Sequence, residues 1–153
     1  MKKILFLSAL VLMLGACKPT IDAKSQVGLK GNWVLSKVSY PGSEYIKVNS
    51  FQIADSKCFE GSSWSFISNN NKGNMSLNGG GDCPSFSSPI VWSITPDQQF
   101  GLKIVEAGVK AKRVTSGYFL KLANRTESSF QLIDKVDVGG KQTDVVYQFN
   151  KVN

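Results

Sequence analysis

Apolar and polar residues alternate along most of the chain, and this regular spacing limits the possible folds more than any other property of the sequence. Residues 118–122 show the pattern, with Tyr118, Leu120 and Leu122 two positions apart. Such spacing places alternate side chains on opposite faces of a β-strand, one face buried and the other in water. We predict strands in the segments that show it, which are residues 30–39, 62–68, 73–78, 89–95, 99–105, 116–123, 129–137 and 142–150.

Short stretches rich in Gly, Asn and Pro separate these segments, as expected of turns. Gly139-Gly140, for example, fits a two-residue hairpin turn with positive φ. No stretch shows a sustained helical period, and we allow at most one helical turn within residues 104–114. Many short strands joined by short turns form a sandwich or a barrel, and spacing alone does not separate the two. We predict an all-β fold, a single antiparallel up-and-down barrel of eight strands, because closure removes exposed sheet edges.

The first sixteen residues have the organisation of a secretory signal peptide. Met1-Lys2-Lys3 is a short cationic start, and residues 4–14 form an uncharged, mostly apolar run. Eleven helical residues span about 16 Å, roughly half of the hydrocarbon core of a membrane, so this run is too short for a stable transmembrane helix. We therefore predict that residues 1–16 are a signal peptide that is removed on export.

Leu14-Gly15-Ala16-Cys17 resembles the lipobox of bacterial lipoproteins. The resemblance implies that the Cys17 thiol receives a diacylglyceryl group, that cleavage occurs just before it, and that the new amino group is acylated, as with palmitate. The mature protein is then anchored to a membrane of the bacterial cell envelope and faces the periplasm or the cell surface. No Asp retention signal follows Cys17, with Pro19 two positions after it, and the resemblance favours the outer membrane. The alternative is an ordinary signal peptide whose cleavage site contains a Cys.

The mature chain begins with a tether and carries one pair of cysteines. Residues 17–28 lack a sustained period and contain Pro19, so we predict a lipidated tether ahead of a domain at residues 29–153. Once Cys17 is lipidated, Cys58 and Cys83 are the two cysteines that remain. Two remaining cysteines in an oxidising compartment favour one disulfide, and two free or buried thiols are the alternative.

The composition excludes several classes of function. The chain contains no His, so Ser-His-Asp and Cys-His catalysis, His-ligated metal sites and histidine pH switches are absent. We predict no cofactor, no metal and no enzymatic activity. A carboxylate-based hydrolase would need two acids in one cleft, and Asp134 and Asp137, near a hairpin turn, are more typical of solvated charges.

The net charge is mildly positive and scattered. Removal of residues 1–16 leaves 16 basic against 11 acidic residues, a net charge of +5. The densest cluster is Lys110, Lys112 and Arg113. A nucleic-acid site needs a longer basic stripe with interleaved aromatic residues, so we predict no nucleic-acid partner.

The start of the domain is similar to the opening motif of the lipocalins, with Gly31-Asn32-Trp33 as its Gly-x-Trp. The sequence as a whole resembles the lipocalin-like lipoproteins of Bacteroidetes-type bacteria. Their pattern is a lipobox, a Gly-x-Trp strand, a Cys ahead of an aromatic strand and a late Tyr-x-Leu-x-Leu strand. Cys58 with residues 64–66, and residues 118–122, stand at the last two features. The resemblance implies a β-barrel whose base is closed by Trp33 as a structural plug, and a small hydrophobic or amphipathic ligand.

The interior of an eight-stranded barrel can be filled by side chains or can hold one small ligand. For a ligand site we predict contacts from Trp92, Tyr118 and Tyr147, because each combines apolar bulk with one polar group. With a filled core, the barrel is instead a structural or interaction module of the cell envelope that acts through its surface. The sequence leaves both open.

Overall fold

A computed structural model of the chain describes residues 22–43, 46–105, 114 and 117–153. Helix α1 is Ala23–Leu29, and a 3₁₀ turn is formed by Ser56–Phe59. The strands are β1 Gly31–Ser39, β2 Asn49–Ser50, β3 Ala54–Asp55, β4 Ser63–Ile67, β5 Lys72–Gly80, β6 Cys83–Ile94, β7 Gln99–Ile104, β8 Tyr118–Ala123, β9 Ser129–Val138 and β10 Lys141–Lys151. The signal peptide, Cys17, Lys110, Lys112 and Arg113 lie outside the described residues, as does most of the segment 104–114.

Eight of these strands form a closed antiparallel barrel in the order β1-β10-β9-β8-β7-β6-β5-β4. β1 pairs with β10 on one side and with β4 on the other, and these two pairings close the sheet. From β4 to β10 each strand pairs with the next one along the chain, which is the up-and-down arrangement. The predicted eight-stranded barrel is therefore confirmed, and the sandwich is excluded.

The alternation seen in the sequence fills the barrel with apolar side chains. In β10, Val145, Tyr147 and Phe149 are buried, whereas Asp144 and Gln148 on the other face are partly exposed. The largest fully buried side chains are mainly aromatic, namely Trp33, Trp92, Tyr147, Phe59, Phe66, Phe100, Phe130 and Phe149. Many of these rings contact each other across the barrel, so aromatic packing supplies much of the core.

The strand that differs most from its predicted bounds is β6, which begins at Cys83 rather than at residue 89. Its first half pairs with the end of β5, from Gly80 opposite Cys83 to Leu77 opposite Phe86. The outward side chains there, Ser85 and Ser87, are small and polar. Phe86 alone between them makes an apolar–polar alternation too short to identify as a strand. The backbone ladder, and not local hydrophobicity, extends this strand.

Helix α1 covers one end of the barrel, which we call the closed end. The backbone N–H of Asp22 donates to the carbonyl oxygen of Ile94 at the end of β6, 2.6 Å away. Leu29 is fully buried, and its carbonyl oxygen accepts a hydrogen bond from Trp33 Nε1 at 2.8 Å. Trp33 thus lies at the closed end, with its ring edge-to-face against Phe130 at 4.7 Å.

The helix shortens the tether that the sequence predicts at residues 17–28, since residues 23–28 are folded onto the barrel. Two buried polar side chains, Ser25 and Gln26, hold it there. Gln26 donates through Nε2 to Asn71 Oδ1 at 2.6 Å, and its Oε1 accepts from the backbone N–H of Ile94 at 3.3 Å. A helix of seven residues that docks through polar groups has no apolar stripe, and its period is therefore invisible in the sequence.

Asp22 caps α1, and this cap is expected to make the closed end sensitive to acid. Hydrogen bonds from the Ser25 side chain and backbone, at 2.6 and 3.1 Å, hold the pKa of the Asp22 carboxyl below its ordinary value. A lowered pKa means that the charged cap stabilises the folded helix above the unfolded pKa, and that this contribution is lost as the pH falls below about 4. We expect amide hydrogen-exchange protection in α1, corrected for intrinsic rates, to fall over the same pH range.

The matched variant for this prediction is Asp22→Asn, which keeps an oxygen acceptor without a charge. Protection of α1 is expected to be lower in Asp22→Asn than in the wild type at pH 5, and the two proteins are expected to converge towards pH 2. A difference of the same size at both pH values would contradict the role of the charge.

Candidate functional site

The end of the barrel opposite α1, which we call the mouth, is covered by residues 46–59, which we call the lid. β2 and β3 pair as a short hairpin, and residues 51–53 form its tip. The 3₁₀ turn follows and leads back towards β4. The lid side chains that are buried are Val48, Ser50, Phe51, Ala54, Ser56 and Phe59. The lid therefore packs onto the barrel interior rather than lying loosely above it.

Phe51, at the tip of the lid, projects into the barrel. The centroid of its ring lies 5.1 Å from that of Tyr118, 5.3 Å from Phe59, 5.6 Å from Tyr147 and 6.5 Å from Trp64. Tyr118 belongs to β8 and Trp64 to β4, and these strands are four places apart in a ring of eight. A side chain that contacts opposite walls of a barrel lies near its axis. Phe51 is 7% exposed and plugs the mouth.

Two tyrosines of the barrel fasten the tip of the lid. Tyr118 donates its hydroxyl to the carbonyl oxygen of Phe51 at 2.8 Å, and the hydroxyls of Tyr147 and Ser50 are hydrogen-bonded at 2.5 Å. Burial raises the pKa of Tyr118 and, more strongly, that of Tyr147. Both phenols are therefore neutral at physiological pH and available as hydrogen-bond donors. A third bond, between Tyr40 and Ser56, fixes the rear of the lid.

The backbone at the tip adopts a conformation that these residue types disfavour. Phe51 has φ 54° and Gln52 has φ 57°, both in the left-handed region. A non-glycine residue in this region costs about 1–2 kcal/mol. Such a conformation persists where surrounding contacts hold it, and it is concentrated at functional sites. The contacts of the Phe51 ring and the tyrosine hydrogen bonds supply that hold.

A disulfide ties the end of the lid to the barrel. Cys58, in the 3₁₀ turn, is bonded to Cys83 at the start of β6, with 5.3 Å between the Cα atoms. The predicted pairing of these two cysteines is confirmed. The bond fixes the base of the lid, whereas its tip is held by side-chain contacts and hydrogen bonds.

A cleft of about 390 Å³ lies beside the tip of the lid. Polar and apolar atoms contribute similar shares of its surface, and the lining residues are Phe51, Gln52, Ile53, Pro84, Phe86, Ile104 and Tyr118. This volume is within the range of pockets that hold small molecules. The cleft borders the Phe51 ring, so movement of the tip would join it to the space that the ring occupies.

The structure brings together two of the three residues that the sequence predicts as ligand contacts. Tyr118 and Tyr147 both contact the Phe51 ring at the mouth. Trp92 lies deeper, towards the closed end, where its Nε1 donates to the carbonyl oxygen of Lys72 at 2.9 Å. Its ring stacks on Phe100 at 6.0 Å. Trp92 is thus part of the packed core, two strands from Tyr118 with Leu102 of β7 between them.

Phe51 itself is the residue that sequence reasoning missed. It stands in the stretch between the first two predicted strands, where no alternation marks a buried position. The one available signal was the disulfide, which predicts that this stretch is held close to the barrel. That signal places the base of the lid but does not indicate which side chain enters the mouth.

The two acids considered for hydrolysis do not converge. Asp134 stands opposite Val145 in the β9–β10 ladder and is half-buried, and this burial raises the pKa of its carboxyl. Asp137 is three residues further along β9, on the other face, and it is exposed. Its carboxylate accepts the backbone N–H of Gly140 at 2.8 Å in the hairpin turn. The strand separates these groups instead of pairing them.

Two wider surveys concern metals and membranes. Across residues 22–43, 46–105, 114 and 117–153, no three His, Cys, Asp or Glu side chains are grouped so that they could hold a metal ion. In the same part of the chain, no helix has both the length and the apolar character needed to cross a bilayer.

The family model of the lipocalin-like domain matches residues 29–120, more than half of the chain. The chain belongs to the lipocalin-like domain family. In this lipocalin-like protein the matched region runs from the end of α1 into β8 and includes the whole lid. Among solved structures it is similar to Odorant Binding Protein OBP1, with 12% identity, 88% of this chain and 77% of that chain covered, and a TM-score of 0.46. No curated protein matches the lipocalin-like chain.

Proposed function

We propose that this lipocalin-like protein is a membrane-anchored, extracytoplasmic binding protein that takes up one small hydrophobic or amphipathic ligand at the mouth of its barrel. The observation that carries the proposal is that a separate lid closes the mouth, with one aromatic side chain as the plug. A cleft of small-molecule size already borders that plug. Membership of the lipocalin-like family supports the same function.

A fluorescence titration of the mature protein with N-phenyl-1-naphthylamine tests the proposed site. We expect saturable binding at one site per chain. Ile53→Glu, which places a charge in the cleft beside the lid, is expected to weaken binding at least tenfold, because a buried charge without a partner is costly. The matched control is Ile67→Glu, since Ile67 is 42% exposed at the far end of β4. Absence of saturable binding, or equal losses in the two variants, would contradict the proposal.

The anchor is proposed from Leu14-Gly15-Ala16-Cys17, which has the spacing of a lipobox. Acyl chains contribute about 0.8 kcal/mol per buried CH₂, and two or three chains hold a protein stably on a membrane. We expect the protein to fractionate with bacterial membranes and to incorporate an alkyne-labelled palmitate, and Cys17→Ser to lose both properties. Labelling that persists in Cys17→Ser would locate the lipid elsewhere and reject the proposed site.

Anchorage at Cys17 also sets the direction in which the mouth faces. Asp22 is five positions after Cys17, so the tether reaches at most about 18 Å. Asp22 lies at the closed end, where it is hydrogen-bonded to Ile94. The closed end therefore faces the membrane, and the lidded mouth faces away from it. On this proposal the ligand enters from the aqueous side.

A second candidate is a structural or interaction module of the cell envelope without a small-molecule ligand. The observation that favours it is the aromatic packing along the barrel axis, from Trp33 and Phe130 at the closed end to Phe51 at the mouth. Crosslinking in intact cells separates the two candidates. A stable protein partner, together with extracted protein that carries no small molecule, would favour this module.

We further propose that the protein acts without catalysis, cofactor or nucleic acid. The chain has no His, and the two acids nearest to each other on β9 lie on opposite faces. Binding, rather than reaction, is the chemistry that a cage of aromatic rings with two phenol hydroxyls supports.

A further inference from the structure

Phe51 occupies the position that a ligand of the mouth would take, and we infer that the ligand resembles it: a small aromatic compound with an acceptor oxygen next to its ring. The inference rests on the proposed function, because it names the class of ligand for that same mouth. The inference rests on the contacts that Phe51 makes with the barrel, because a ligand that replaces Phe51 meets the same groups.

The surroundings of the Phe51 ring favour an aromatic group over an alkyl chain. Phe59, Tyr118 and Trp64 meet it at interplanar angles of 74°, 82° and 64°, which are edge-to-face arrangements. Such pairs are favourable beyond the burial of area, because the positive edge of one ring faces the negative face of the other. An alkyl chain of equal area fills the space but lacks this electrostatic gain. The cage therefore selects a flat aromatic ring.

The Tyr118 hydroxyl adds the requirement for an acceptor. It donates to the carbonyl oxygen of Phe51 at 2.8 Å, and Tyr118 is only partly exposed. When the tip of the lid withdraws, that hydroxyl loses its protein partner and is left to water or to a ligand in the mouth. A ligand with a carbonyl oxygen beside its ring restores the bond, whereas a plain hydrocarbon does not. The phenol thus discriminates between ligands of the same shape.

The tip of the lid is built so that one ring can replace another. Phe51 and Gln52 lie in the left-handed region, which contacts with the barrel maintain, so loss of those contacts frees both residues to leave it. The hairpin behind them is two residues long on each side, and it offers little resistance to bending. The disulfide at Cys58 keeps the lid attached while its tip moves. The ligand and Phe51 therefore compete for one position. The measured affinity reflects the difference between the free energies with which each occupies it.

Two probes of nearly the same shape test the acceptor: acetophenone has a carbonyl oxygen beside its ring, and ethylbenzene has none. Each is titrated into the ¹⁵N-labelled mature protein while the indole N–H signals of the tryptophans are followed. We expect acetophenone to shift the signal of Trp64, which contacts Phe51, and to leave that of Trp92 unchanged. Acetophenone is expected to bind about fivefold more tightly than ethylbenzene, the effect of one neutral hydrogen bond.

Two variants separate the plug from the acceptor bond. Phe51→Gly removes the competing ring, and Gly takes a φ of 54° without strain, so we expect acetophenone to bind at least tenfold more tightly. Tyr118→Phe keeps the cage but removes the donor, so the preference for acetophenone over ethylbenzene is expected to fall to about one. Phe119→Ala, which removes an exposed ring on the outside of the same strand, is the matched control and is expected to change neither value.

Each result bears on the inference. Equal affinity of the wild type for the two probes, or a preference that survives in Tyr118→Phe, overturns it. If N-phenyl-1-naphthylamine binds saturably while acetophenone leaves Trp64 unshifted in the wild type and in Phe51→Gly, the inference fails and the proposed binding function stands. If neither probe nor dye binds to the wild type, both fail. Tyr118→Phe keeps the inference testable should Phe51→Gly not fold.

Discussion

Phe130→Ala is expected to lower the free energy of unfolding by about 3–5 kcal/mol, the cost of removing a fully buried aromatic ring. Phe130 has no exposed surface and stacks on Phe149, with 4.6 Å between ring centroids and 5° between planes. It also meets Trp33 edge-to-face at 4.7 Å. These residues come from β9, β10 and β1. The cavity left by Phe130→Ala would therefore lie against paired strands, which cannot move together to fill it. Domains of this kind are stable by about 5–15 kcal/mol, so the loss is large.

Urea unfolding, followed by tryptophan fluorescence, measures this change through the transition midpoint at constant slope. Phe119→Ala is the matched control, because the same side chain is removed from an outward position that is 67% exposed. We expect Phe119→Ala to change the free energy of unfolding by less than about 1 kcal/mol. If the two variants differ by less than that, the packing around Phe130 is not what stabilises the barrel.

Removal of the Cys58–Cys83 disulfide is expected to lower the free energy of unfolding by about 3.5 kcal/mol. The two cysteines are 25 positions apart, and the bond closes this loop in the unfolded chain. Without it, the unfolded state gains conformational entropy, and the lid also loses its fixed base. The double variant Cys58→Ser with Cys83→Ser should show the full loss in urea unfolding, and the wild type in excess reductant should show the same loss.

Two observations distinguish the effect on the unfolded chain from an effect on the lid alone. If the bond acts mainly through the unfolded state, the midpoint shifts for the whole barrel, and the indole N–H signals of Trp64 and Trp92 move together. If the bond holds only the lid, the signal of Trp64, which contacts Phe51, changes at lower urea than that of Trp92, nearer the closed end. A loss below about 1 kcal/mol in both signals would contradict both mechanisms.

Most strands of the barrel could be predicted from the sequence because their evidence is local. Alternation within β8 or β10 needs only the two or three residues on each inward face, and the chain shows these directly. The Gly139-Gly140 turn is local in the same way, with φ of 61° and 85° at the two glycines. The disulfide followed from counting cysteines in an oxidising compartment. In each case the signal and the structure concern the same few residues.

The elements that were not predicted are those fixed by distant contacts. Helix α1 is held by Gln26, whose partners, Asn71 and Ile94, are far along the chain. The start of β6 is set by its ladder with β5. Trp92, Tyr118 and Tyr147 all combine a large ring with a polar atom, but chemical type does not show that Trp92 lies deeper in the barrel.

The alternation of apolar and polar residues by itself determined that this chain forms strands with one apolar face, since side chains two apart share a face whatever the strand later pairs with. Only the tertiary structure decided that β1 pairs with both β4 and β10, which makes the sheet a barrel. It also decided that Phe51 enters the mouth. That position depends on rings from β4, β8 and β10 meeting at one point, and no local pattern records such a meeting.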